Sequence, residues 1–302
     1  ELPEKRYASN TWLNLNYNYK HIVAGVQAEA FLPALQGYKF TPQGKEKVAL
    51  THYFAGYRSE KFEVTAGTFY EQFGNGLIFR SFEDRQLGID NVMRGALLKV
   101  KPVKDLQLKA FYGKQRFYFD YHPSDIAGAD MDYLFFSKDS EGKNISLKGG
   151  ASFLYIRQDS VVTTTLQHKN ATTAWAARTH FTAGNYELNA EYMRHSKVAY
   201  YGSPFYQPGS ALLISQNYTS AKGFAANLVF RRLELAALKA DYSKDEINNF
   251  LNYLPSLTKQ HTWLVSSIYP AVADWKHEIG GQGGMGRSHN NAETFPRLAV
   301  GG

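Results

Sequence analysis

The densest set of ionisable residues in the chain is Arg80, Glu83, Asp84, Arg85, Asp90 and Arg94. Arginines among carboxylates can brace a constriction or hold a loop by mutual pairing, and Gly74, Gly76 and Gly88 permit the bends either would need. The signs balance and no nucleophile stands among them, so the sequence favours an ordered structural loop. Enzyme chemistry finds little support elsewhere. The 9 histidines are dispersed, with no pair at metal spacing and no Ser–His–Asp order. With 0 cysteines there is no thiolate metal site, thiol nucleophile or disulfide. Asp130, Asp132, Asp139 and Glu141 lack the spacing of a calcium loop and read as a solvated acidic stretch. The expectation is a non-enzymatic protein with no cofactor and no metal. Tyr118, Phe119, Tyr121, Tyr200, Tyr201, Phe205 and Tyr206 crowd two loops, as a partner or glycan surface or as a self-packed cluster.

The elements that must carry these residues are strands. Tyr (21) and Phe (20) are in excess and favour β structure. Period-two alternation recurs. Leu13, Leu15, Tyr17 and Tyr19 oppose Asn14, Asn16 and Asn18. Leu106, Leu108, Ala110 and Tyr112 oppose Gln107 and Lys109, and Tyr186, Leu188, Ala190 and Tyr192 oppose Glu187, Asn189 and Glu191. The pattern predicts strands over 11–19, 21–32, 47–57, 61–73, 92–101, 105–116, 145–157, 160–168, 171–182, 185–197, 222–230, 233–243, 260–269 and 272–282. Tight turns fall at Lys20–His21, Arg58–Lys61, Pro102–Asp105, Thr182–Asn185 and Arg231–Arg232. Longer loops fall at 32–47, 74–92, 118–144, 198–221 and 244–259. Such an antiparallel up-and-down meander is all-β.

These segments approach the 9–11 residues that cross a bilayer as a tilted strand, and exceed the usual strand of about 5–6. Tyr and Trp at the ends of the apolar faces match interfacial girdles, while the opposite faces are polar. The expectation is therefore a transmembrane β-barrel of 14–16 or more strands, over residues 1–302, in a bacterial outer membrane. A barrel that wide leaves room for an aqueous lumen. Glu29, Glu63, Lys99, Lys109, Lys148, Arg178, Glu187, Glu191, Arg231, Lys239 and Asp241 would face that lumen, with the Arg80–Arg94 cluster as a constriction if its loop folds inward. No run reaches the ~18 apolar residues of a membrane-spanning helix. The net charge of +7 is scattered and gives no nucleic-acid footprint. Turn parity puts the start of the first strand and the end of the last on the long-loop side, from which the barrel is expected to be incomplete at one or both ends. An exported protein whose signal sequence has been cleaved is also expected.

The run from Gly67 to Gly95, with Ser9–Tyr19 and Phe31–Tyr38 before it, resembles a signature of a Bacteroidota outer-membrane family of unknown function. The resemblance is best over 5–115 and implies a location and a fold but no activity. Asp159-Ser160-Val161 resembles a short O-glycan acceptor pattern, which would make Ser160 the acceptor. Two roles follow as expectations: a porin-like channel for small polar solutes, or a structural barrel subunit of an assembly or secretion complex. Partners would be outer-membrane lipid, lipopolysaccharide, and other barrels or lipoproteins. A soluble all-β binding protein is the remaining alternative.

Overall fold

The computed structural model describes residues 9–32, 47–85, 89–140, 143–158, 162–163, 166–167, 171–200, 206–220, 222–243, 249–254, 274–289, 292–294 and 297–301. The chain opens with β1 (Ser9–Tyr19), β2 (Ile22–Leu32), β3 (Lys47–Arg58) and β4 (Phe62–Phe69). Four short strands follow: β5 (Gln72–Phe73), β6 (Phe79–Arg80), β7 (Glu83–Asp84) and β8 (Ile89–Asp90). Next come β9 (Met93–Val103), β10 (Leu106–Phe117), β11 (Asp120–Tyr121), β12 (Asp125–Ser140) and β13 (Lys143–Arg157). After the small pair β14 (Val162–Thr163) and β15 (Leu166–Gln167) run β16 (Ala171–Ala183), β17 (Tyr186–Ala199), β18 (Tyr206–Thr219) and β19 (Phe224–Glu234). The last are β20 (His277–His289), β21 (Ala292–Thr294) and β22 (Arg297–Gly301).

One 16-stranded sheet runs β1-β2-β3-β4-β9-β10-β12-β13-β16-β17-β18-β19-β20-β21, with β11 on β10 and β22 on β20. Every long neighbour is antiparallel and next in line, which is an up-and-down meander. Among the described residues no pairing joins β1 to β21 or β22. Tight turns occupy one edge. Lys20 takes φ 53° and Gly184 φ 57° in two-residue turns, the left-handed backbone that matches strand twist. Among the described residues no helix is long and apolar enough to cross a membrane.

The two faces of the sheet differ sharply. Outward, Leu15, Tyr17, Tyr112, Phe153, Trp175, Leu228 and Met285 are exposed. Inward, Leu97, Phe111, Leu154, Ile156, Ala174, Ala176, Met193, Ala211 and Leu233 are buried in one cluster. What buries them is the chain itself. The described residues of 70–92 and 235–254 leave the wall and fold into the lumen, where Phe73, Leu77, Ile78, Phe79, Ala236, Leu238 and Leu251 join that cluster. The two segments meet: Arg80 N–H donates to Leu251 O at 2.8 Å and Tyr253 N–H to Gly76 O at 2.9 Å.

Several strand boundaries differ from the sequence expectation. Residues 125–140, expected as loop, form β12, and 206–219 form β18. In β12 the inward face carries Gly128, Asp130 and Asp132 and the outward face only Ala127 and Ala129 before Met131, so the alternation is weak in hydropathy though regular in space. Of the expected strand 160–168 the described residues form the pair β14–β15, outside the main sheet. Arg231–Arg232 is no turn: β19 runs through it, with Arg231 buried inward against Glu278 and Arg232 outward. Hence 233–243 is mostly the inserted segment, and the strand expected at 272–282 lies at 277–289. The strand expected at 260–269 lies outside the described residues.

Candidate functional site: the charged inner wall and its plug

Strand register assembles charges that are far apart in sequence. Arg58, Glu63, Lys99, Lys109 and Asp130 occupy successive strands in one inward row. Asp132, Gly150, Arg178, Glu191, Leu213 and Arg231 make a second. Within the first, Lys99 Nζ lies 2.7 Å from Glu71 and Lys109 Nζ 2.9 Å from it, while Arg58 and Lys99 approach Glu63 at 3.4 and 3.9 Å. Burial would raise the Glu71 carboxyl, but hydrogen bonds from Lys99 and Lys109 outweigh it and hold it below its usual range. Glu71 sits at the root of the first inserted segment, so the two lysines tie that segment to the wall.

In the second row Arg178 donates to Asp132 at 2.7 Å and lies 2.9 Å from Asp130. Gly150 stands between Arg178 and Asp132 on the intervening strand; a Cβ there would come 2.5 Å from Arg178 Nε and 2.6 Å from Asp132 Oδ1. Glu191 accepts the Asn75 N–H at 2.6 Å, beneath Gly74, whose φ of 53° and whose missing Cβ let the plug touch the wall. Glu187 is lower on the same strand, 3.6 Å from His180.

The Arg80–Arg94 set does not stay together. Arg80 stacks on Tyr253 at 4.3 Å and on Phe82 at 5.0 Å, bridging the two inserted segments. Arg85 pairs with Glu83 at 2.7 Å near the surface and lies over Trp12, with Asp84 half-buried beside them. Arg94 lies over the Tyr121 ring at 3.6 Å. Asp90 alone enters a deep network. Buried Arg116 bonds it and also Glu29, at 2.8 Å, and Tyr70 donates to it at 2.8 Å. His52 Nε2 lies 3.1 Å from Asp90. Burial alone would raise the Asp90 carboxyl, yet the His52 hydrogen bond and the Arg116 charge hold it low. Burial, then the Asp90 charge, push the Tyr70 phenol far up, so it serves as a neutral donor. Glu29, His52 and Asp90 have donor atoms within 4.8 Å of one another, close enough for a cation. Arg116 already pairs with both carboxylates, one positive charge against two negative ones. Neither Arg116 nor His52 stood out in the sequence, because their partners lie on other strands and no local spacing marks them.

Of the loop aromatics, Tyr118 and Phe119 are half-buried beside Arg116 and Phe117. Tyr206 is half-buried in β18. Tyr200 is not on a surface: it is buried, its hydroxyl 2.6 Å from Leu235 O, and it packs on Tyr242 and Trp275. Lys239 lies 5.2–5.9 Å above Phe250, Trp275 and Tyr200. Tyr201, Phe205 and Ser160 lie outside the described residues. Beside the plug, a cavity of about 360 Å³ runs along β1 to β4, where Asn14, Asn16, Arg58 and Lys99 share a mostly apolar lining with Phe54, Phe69, Val92 and Leu97.

A model of a family of unknown function, DUF6029, matches residues 1–293. The chain belongs to that family. No curated protein matches it. Among solved structures this family member is similar to Pseudomonas aeruginosa OccK8 (OprE), with 8% identity, TM-score 0.44, 96% of this chain and 88% of that one. It is likewise similar to a loop L8 deletion mutant of OmpT, an outer membrane protein of Vibrio cholerae, with 12% identity, TM-score 0.42, and 97% and 86% covered.

Proposed function

We propose that this chain is an integral, non-enzymatic β-barrel of a bacterial outer membrane, of the Bacteroidota kind its signature resembles, and that it conducts small polar solutes past its own plug. The inverted polarity of the sheet supports the membrane setting. On β17 the outward residues from Tyr186 to Tyr192 make an apolar stretch about 20 Å long at ~3.3 Å per residue, which at a tilt of about 40° covers roughly 15 Å of the ~25 Å band of outer-membrane barrels. The observation that carries conduction is the cavity along β1 to β4, into which Asn14, Asn16, Arg58, Glu63 and Lys99 bring polar groups. Tyr70 and Val92 of the plug border that cavity, so the passage is narrow, and the paired charges of Arg58, Glu63 and Lys99 line it. Planar-bilayer recording tests this: small, discrete conductance steps are expected, and a purified, folded barrel that stays silent overturns it.

A second reading has its own support. The apolar core inside the lumen is continuous from Phe69 to Leu251, as a closed structural subunit of a larger assembly would have. A silent barrel that leaves mild detergent only in a larger complex would favour that role.

A further inference from the structure

The apolar band on the outer face of β17, β18 and β19 ends abruptly on its long-loop side. Tyr192, Leu212 and Arg232 lie side by side in register, and the next row outward is Arg194, Ser210 and Glu234. Below them the same face carries Leu188, Ile214, Leu228 and Phe230. At the boundary β17 changes register between His195 and Val198, and β18 passes through Pro208 and Gly209. The result is a groove of about 300 Å³ on the outside of the sheet, lined by Tyr192, Arg194, Pro208, Ser210, Leu212 and Arg232, with Glu234 at its edge.

Its chemistry is specific. Arg232 is held by Glu234 at 3.1 Å, and both are about half exposed. Arg194 is exposed and has no ion-pair partner among the described residues. Two guanidinium groups against one carboxylate leave the groove cationic, with the hydroxyls of Ser210 and Tyr192 beside them and Leu212 as an apolar floor. Guanidinium forks match phosphate oxygens two at a time, and charge at a bilayer rim meets headgroups there.

We propose that this groove binds a phosphorylated headgroup of an outer-leaflet glycolipid, the phosphate between Arg194 and Arg232 and the first acyl segments over Leu212. The inference rests on the outer-membrane reading above, since the long-loop rim then faces the outer leaflet.

The test uses the full chain in phosphatidylcholine vesicles, with bis-phosphorylated lipid A or its dephosphorylated form added. Bound lipid is counted by native mass spectrometry after mild detergent release. The wild type is expected to retain the phosphorylated lipid. R194A/R232A should bind it at least about tenfold more weakly, a loss of ~1.4 kcal/mol, while R157A, at an exposed arginine outside the groove, should bind normally. R194K keeps the charge but not the fork and should fall between. Heat-modifiable migration of each variant reports that the barrel is intact. Equal retention of the dephosphorylated lipid, an unchanged double variant, or full displacement by inorganic phosphate at equal concentration overturns the glycolipid site. Failure of the wild type to insert into the vesicles overturns instead the membrane reading beneath it.

Discussion

Arg178 reaches across Gly150 to set its guanidinium 2.7 Å from Asp132, with Asp130 2.9 Å away. Two strands supply the ions of this cluster, and it closes because the strand between them has no side chain in the way at Gly150. Arg178→Met removes the cation that pairs with Asp130 and Asp132 and leaves Asp130 buried without it, a loss of about 3–5 kcal/mol in folding stability. Gly150→Ala keeps every charge but wedges a methyl into the bridge, for about 1–3 kcal/mol. Urea unfolding in detergent micelles, followed by the heat-modifiable gel shift, measures both. If Gly150→Ala unfolds like the wild type, the bridge does not depend on that gap.

Acid should loosen the plug before it unfolds the wall. Asp90 and Glu71 anchor the two ends of the first inserted segment, and each carboxyl is held below its ordinary range when folded. A depressed folded pKa means stability that is present above the unfolded value and lost as pH falls through the folded one. The melting temperature of the solubilised barrel is therefore expected to be level near neutrality and to fall from about pH 4 downward. Asp90→Asn with Glu71→Gln should flatten that acid limb. An equally steep limb in the double variant would place the acid sensitivity elsewhere.

Phe79 stacks on Phe111 of the wall at 4.4 Å and on Phe73 at 5.4 Å, with none of its surface exposed. Phe79→Ala empties the centre of the plug, with an expected cost of about 3–5 kcal/mol to its packing. The hydrogen-bonded wall does not depend on that side chain. Single-channel conductance should rise while the gel shift persists. A folded variant with unaltered conductance would mean that this side of the lumen takes no part in conduction.

The wall was more legible than the interior, for a physical reason. Outward residues such as Leu106, Leu108, Ala110 and Tyr112 alternate with polar inward ones, and period two is a local property that a sequence exhibits directly. It failed where the outward face was small, as at Ala127 and Ala129, and where two arginines on opposite faces of β19 mimicked a turn. The plug left a different trace. Leu77-Ile78-Phe79 is an apolar run inside a glycine-rich, charged loop, which such a loop in solvent would not carry. The networks were out of reach, since Arg116, Glu29, His52 and Asp90 are joined only by strand register and loop insertion.

Asn252 is the joint between the two inserted segments. Its side-chain amide donates to Leu77 O and Ala236 O, each at 2.8 Å, and its Oδ1 accepts the Leu238 N–H at 3.0 Å. All three backbone groups belong to buried or lumen-packed residues and lose this partner when the side chain changes. Asn252→Leu conserves volume but leaves them without it, and each unsatisfied buried group costs about 1–3 kcal/mol. That penalty falls on the contact between segments rather than on the wall ladder. Amide hydrogen exchange should accelerate across 235–243 and 249–254 and across 70–80, while β16 and β17 keep wild-type protection. Acceleration spread evenly over the wall strands would show instead that plug and barrel unfold as one unit, and that Asn252 holds the whole lumen together.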